Sequence, residues 1–202
     1  MRSGCIQGCT AWWSVTILLG MTTTPAADSR FVTLLTDQIG HEFDAHMQYV
    51  AIAVWCDSHD LPQLAAHYYR QSLEERNHAM MIVQYMLDRD LDVSFPKAAD
   101  VRSTFANVRE PIALALAQEQ EVTEQIEAIF QAARAENDVL GEQFMLWFLK
   151  EQVEEVAAAT TLLTVANRAG ENLFDLENFV ARETIGDAGE SADAPEAAGG
   201  AL

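Results

Sequence analysis

The sequence predicts an all-α protein: a four-helix bundle with a long crossover between the second and third helices and a short fifth helix near the C-terminus. Three observations predict it. Only five prolines and ten glycines are present, several near the ends, so long stretches run without a helix breaker. Within those stretches apolar residues recur at alternating intervals of three and four, the stripe a helix buries in a bundle. Alternating Val/Ile/Thr runs between paired turn residues are missing, which argues against sheet.

The first helix is expected over about 28–58. Asp60-Leu61-Pro62 is a break and restart, with Asp60 as the expected N-cap and Pro62 suited to a first turn. The second helix then runs to about Asp88. Residues 89–107 include Pro96 and no clean period, so they read as a connection. It is long for a hairpin between adjacent helices and suits a crossover along the bundle. The third helix is expected over about 109–136, and Asn137-Asp138 is a tight turn into a fourth helix ending near Ala169. Gly170 is its C-cap candidate. A short amphipathic piece, Leu173 to Arg182, carries Leu173, Phe174, Leu176, Phe179 and Val180. Ten residues cannot hold a helix alone, so this face needs a neighbour. Residues 183–202 are rich in Gly, Ala, Asp, Glu and Ser and read as a flexible acidic tail.

Residues 1–27 read differently. Arg2 precedes the apolar run 11–19, roughly the shape of a signal peptide but too short to span a bilayer. Met21 opens an ordinary polar leader and is the expected true start. A native protein lacking any peptide with Trp12 and Trp13 by mass spectrometry is the expected outcome. The 31 acids against 12 bases give a formal charge of −19, which disfavours nucleic acid and attracts cations. The tail explains only part of this, because residues 28–182 keep 26 acids against 11 bases. Cys5, Cys9 and Cys56 show neither a disulfide framework nor zinc spacing, so a reducing, cytoplasmic setting is expected.

The buried stripes are where chemistry enters. On the first helix the stripe reads Leu35, Ile39, Glu42, His46, Tyr49, Ala53, Cys56. On the second it reads Leu64, Tyr68, Gln71, Glu75, His78, Ile82, Tyr85. The third gives Ile112, Leu116, Glu119, Thr123, Ile126, Phe130, and the fourth Met145, Phe148, Gln152, Glu155, Ala159, Leu162. Each stripe has a carboxylate near its middle and none has a Lys or Arg. Burying one lone carboxylate costs several kcal/mol, and converging four is worse. Two divalent cations solve the problem, and oxygen ligands with one imidazole suit iron or manganese. The pattern repeats in the two halves. A single Glu42 is followed 33 residues later by Glu75-x-x-His78, and a single Glu119 is followed 36 residues later by Glu155 in Gln152-x-x-Glu155. Di-iron carboxylate bundles combine single Glu residues with Glu-x-x-His in this way. His46, one turn from Glu42, is a further candidate ligand.

Residues 31–182 resemble a haem-free bacterial ferritin of the actinobacterial type. The stretches that carry the resemblance are 48–53 (QYVAIA), 74–81 (EERNHAMM), 141–144 (GEQF), 147–155 (WFLKEQVEE) and 172–179 (NLFDLENF). The resemblance implies that Glu42 and His78 hold one iron, Glu75 bridges, Glu119 and Glu155 hold the second, and Gln152 lies alongside. It implies a third, weaker iron site at Glu74, Glu151 and Glu154, and a Tyr49 close enough to supply or relay an electron, with Trp147 nearby. It further implies a homo-oligomeric shell of twenty-four subunits that oxidises Fe(II) with O₂ or peroxide and stores ferric mineral. No haem is expected. The alternatives are a haem-binding bacterioferritin, against which Gln152-x-x-Glu155 argues, and a di-iron oxidase or peroxidase on the same bundle. A metal-free structural bundle would leave the four carboxylates without partners. The tail is a candidate docking peptide for an encapsulating shell protein.

Overall fold

The computed structural model describes residues 29–183 and 193–202. Among them are five helices, α1 Arg30–Asp57, α2 Pro62–Asp88, α3 Arg109–Ala135, α4 Val139–Ala169 and α5 Leu173–Arg182. The all-α bundle expected from the sequence is the observed fold. The leader lies outside the described residues.

Local chemistry sets most boundaries. Ser29 caps α1, its Oγ accepting from Val32 N at 3.2 Å and donating to Glu136 Oε2 at 2.6 Å. Asp138 caps α4 by accepting from Gly141 N at 3.0 Å. Gly170 ends α4 at φ 61°, the left-handed region open to glycine. The start of α2 departs from expectation. Asp60 is not its cap but sits in the turn at φ 57°, and the cap position is Leu61, whose apolar side chain can accept no hydrogen bond. Glu177 of α5 replaces it, accepting from Gln63 N at 2.9 Å and Leu64 N at 3.0 Å. The cap therefore comes from 113 residues away in the chain, which no local pattern shows.

The crossover runs along α1. Pro96 meets Gly40, Ala99 N donates to Asp44 Oδ1, and Gln48 exchanges two bonds with the backbone of Arg102. These contacts account for an ordered path without a helix. α5 buries Leu176 and Val180 against the bundle end, as its amphipathic face requires.

Gly141 is demanded by packing. A Cβ there would lie 2.8 Å from the buried Phe31 ring and 3.2 Å from Ala133. The Gly141→Ala variant is expected to lose about 1–3 kcal/mol to overpacking, partly offset by about 1 kcal/mol of helix propensity. Chemical denaturation checks it, and a net gain in stability would contradict the packing assignment.

Residues 184–192 of the expected tail lie outside the described residues, and its last residues touch α2. Ala198 N donates to Met80 O at 3.0 Å, and the Asn77 side chain exchanges bonds with Leu202, accepting from its N at 3.2 Å and donating to its O at 3.3 Å. Gly199 and Gly200 at φ 79° and 84° turn the chain back so that Leu202 reaches Asn77. Ala194, Ala197 and Ala198 pack on the apolar cluster below. Composition argued for disorder, but alanines are small enough to lie flat on a helix, and that depends on the surface offered. In Asn77→Ala both bonds to Leu202 are lost, worth about 1 kcal/mol each. Residues 193–202 are then expected to be trimmed faster by carboxypeptidase, with little change in melting.

The core is split in two. One apolar cluster, around Tyr49, Ile52, Leu64, Tyr68, Ile112 and Leu162, fills the end covered by α5. The other, around Phe31, Leu35, Ile39, Ile82, Ile126 and Phe148, fills the opposite end. A polar layer lies between them.

Candidate metal centre

The polar layer consists of Glu42 on α1, Gln71, Glu75 and His78 on α2, Glu119 on α3, and Gln152 and Glu155 on α4, all buried. The three-and-four spacing on each helix brings the four central carboxylates to this level.

Glu42, Glu75 and His78 offer ligand atoms that all lie within 4.8 Å of one another, the one such group among the described residues. His78 Nδ1 lies 3.3 Å from Glu75 Oε2. Gln38 Nε2 donates to Glu42 Oε1 at 2.9 Å, while the buried Glu42 Oε2 has no partner. A carboxylate oxygen left open beside an imidazole and a second carboxylate suits a hard cation. Opposite, Glu119 accepts a short hydrogen bond from the Tyr49 hydroxyl, and Glu155 Oε2 accepts from Gln71 Nε2 at 3.2 Å. Thr123 Oγ1 donates to Gln152 Oε1 at 3.0 Å, orienting that amide. The His78 ring stands edge-on to Trp147 and Phe148.

The electrostatics match the crowding. Burial first, then the charges of Glu119 and Glu42, push the Glu75 carboxyl well above its ordinary range. Burial pushes Glu119 up to about 7, against the lowering effect of the Tyr49 hydrogen bond. Burial and then Glu119, Glu74 and Glu151 push Glu155 up to about 9. Burial and the Glu119 charge also raise Tyr49. Among the described residues no Lys or Arg forms an ion pair with Glu42, Glu75, Glu119 or Glu155. The crowding therefore favours the protonated forms of Glu75, Glu119 and Glu155.

The structure therefore gathers Glu42, Glu75, His78, Glu119, Gln152, Glu155 and Tyr49 in one layer. It treats the three carboxylates expected beside them unequally. Glu151 is buried and Glu74 half-buried, with Glu74 accepting a short bond from Gln71, whereas Glu154 is exposed. Both Glu74 and Glu151 bear on Glu155 electrostatically. His46 is not in the ligand group, because its Nδ1 lies 2.6 Å from the Ser72 carbonyl oxygen. Gln38 was not legible as a supporting residue. The available signal was its position one turn before Glu42.

Comparison with known proteins places this geometry in context. The family described as a ferritin-like domain matches residues 32–169. Ferritin BfrB of Mycolicibacterium smegmatis is 59% identical over 90% of this chain and 100% of its own length. A Mycobacterium tuberculosis protein, Bacterioferritin BfrB, is 57% identical over the same shares. Among solved structures, an open pore ferritin from the archaeon Archaeoglobus fulgidus superposes with a TM-score of 0.74 at 24% identity. It covers 78% of this chain and 98% of its own, and at that identity shows the fold.

Proposed function

Because the chain belongs to the ferritin-like family, we propose that it stores and detoxifies iron, oxidising Fe(II) to Fe(III) inside each subunit and holding ferric mineral in a hollow shell. The observation that carries this reading is the buried Glu42–Glu75–His78 group together with the buried Glu119 and Glu155, with no Lys or Arg paired to these carboxylates among the described residues. Fe(II) is the substrate. Glu42 and His78 hold one ion, Glu119 and Glu155 the other, and Glu75 lies between them. Gln152 steadies the second position.

The chain's own groups supply geometry, charge and proton handling. Carboxyls protonated in the free centre release their protons as cations bind. Tyr49 is poised to give up an electron, because its phenolic proton already points at Glu119. Glu74, Glu151 and Glu154, the last of them exposed, form a third, weaker iron site beside the pair.

The assembly we propose is a homo-oligomer of twenty-four subunits in the cytoplasm. Exposed Phe174, Val139 and Val153, at 83%, 71% and 70%, favour burial against copies of the chain. No described helix is long and apolar enough to cross a membrane. The subunit is read as free of haem, because Gln152-x-x-Glu155 stands where a second Glu-x-x-His would be. Absence of a Soret band is the expected outcome, and its presence would favour the bacterioferritin reading. A role for the tail in recruiting an encapsulating shell would first require its release from Asn77.

Aerobic Fe(II) loading followed by size exclusion tests the whole reading. Many irons per subunit retained in a large particle are expected. Retention of only about two per chain would instead indicate a di-iron oxidase on the bundle.

A further inference from the structure

We propose that Tyr68 is a second redox-active side chain that returns a hydrogen atom to Tyr49, extending the electron supply one residue deeper than the centre. This rests on the ferroxidase reading above. The Tyr49 and Tyr68 rings are stacked, with centroids 5.7 Å apart and planes at 27°. Both are buried, Tyr49 2% and Tyr68 1% exposed. The Tyr49 hydroxyl is bound to Glu119, whereas the Tyr68 hydroxyl has no hydrogen-bond partner.

That orphaned hydroxyl is the unexplained feature. Tyr68 sits in an apolar cluster, where phenylalanine would fill the same volume without burying an unsatisfied donor. A small cavity answers it. Tyr49, Tyr68, His67, Gln71, Glu119 and Glu155 line a space with room for a single water-sized molecule. The cavity thus joins the Tyr68 residue to the carboxylate that takes the Tyr49 proton.

The step balances. Reducing dioxygen to water takes four electrons; two Fe(II) ions supply two, Tyr49 supplies the third and, once Tyr68 has restored it, Tyr49 supplies the fourth. When dioxygen or peroxide draws one further electron from Tyr49, the phenolic proton passes to Glu119 and a neutral Tyr49 phenoxyl remains. Tyr68 then transfers an electron through the stacked rings. Glu119 returns its proton to the Tyr49 oxygen, and the Tyr68 proton crosses the cavity to replace it on Glu119. The net change is Tyr49 phenoxyl plus Tyr68 phenol giving Tyr49 phenol plus Tyr68 phenoxyl, with no proton or electron left over.

The test is freeze-quench electron paramagnetic resonance of the full chain after aerobic Fe(II) addition, with ring-deuterated tyrosine to identify tyrosyl signals. Tyr68→Phe keeps the ring and removes only an unsatisfied hydroxyl, so it should fold. In the unaltered protein two overlapping tyrosyl signals are expected. Tyr68→Phe should leave one, with a changed hyperfine pattern and a several-fold shorter lifetime, and Tyr49→Phe should abolish both. A Tyr68→Phe spectrum and decay identical to the parent's would overturn the proposal. So would iron oxidation and retention with no tyrosyl signal, which leaves the storage reading intact. Failure to oxidise iron at all would instead remove the reading on which the proposal rests.

Discussion

Replacing Glu75 and His78 together with alanine is expected to slow Fe(II) oxidation by more than about a hundredfold. Outer partners of metal ligands alone are typically worth about 10–100-fold in affinity or activity, and these two side chains are members of the candidate ligand group itself. The fold should persist. Both residues belong to the polar layer, while the two apolar clusters on either side are untouched. Removing the Glu75 carboxyl also relieves repulsion from Glu119 and Glu42. Stopped-flow absorbance of ferric species measures the rate, and circular dichroism with size exclusion confirms assembly. Oxidation at the parental rate in an intact shell would place the chemistry elsewhere.

The second large effect is on stability without metal. An ordinary carboxyl titrates near 4.5, whereas burial raises Glu119 to about 7 and Glu155 to about 9 in the folded chain. Between those values the folded protein binds more protons than the unfolded one, so its stability falls as pH rises. Below about 4.5 both states are protonated and these groups contribute no pH dependence. The metal-free protein is therefore expected to lose several kcal/mol between about pH 5 and 9, or roughly 10 °C of melting temperature for a domain of this size. Divalent cations should restore it, since they stabilise the ionised carboxylates and release protons on binding. The net charge of −19 pushes in the same direction, so a control is needed. Glu155→Gln removes one titrating group and should flatten the curve while raising stability at pH 8. An unchanged slope in that variant would assign the pH dependence to surface charge instead. Calorimetry at several pH values, with and without chelator, reads both outcomes.

A single sequence determined a good deal. Helix periodicity is local, so the four long helices and the short fifth were legible within a residue or two. The position of each central carboxylate followed from the same period, because residues at the middle of a buried stripe face the other helices. The cost of burying four carboxyls without a basic partner then implied cations. What the tertiary structure decided is what depends on neighbours far away in the chain. Glu177 caps α2 in place of Asp60 because α5 folds back onto that end. His46 turns to the Ser72 carbonyl although it lies one turn from Glu42, because a helix face is wider than the centre it borders. The stacking of Tyr49 on Tyr68 and the short bond to Glu119 join three helices and leave no trace in spacing. The tail shows the limit most clearly. Its composition is that of a disordered segment, yet its last residues dock on Asn77 and Met80. Order there is set by the surface α2 presents, and no one-dimensional pattern contains that surface.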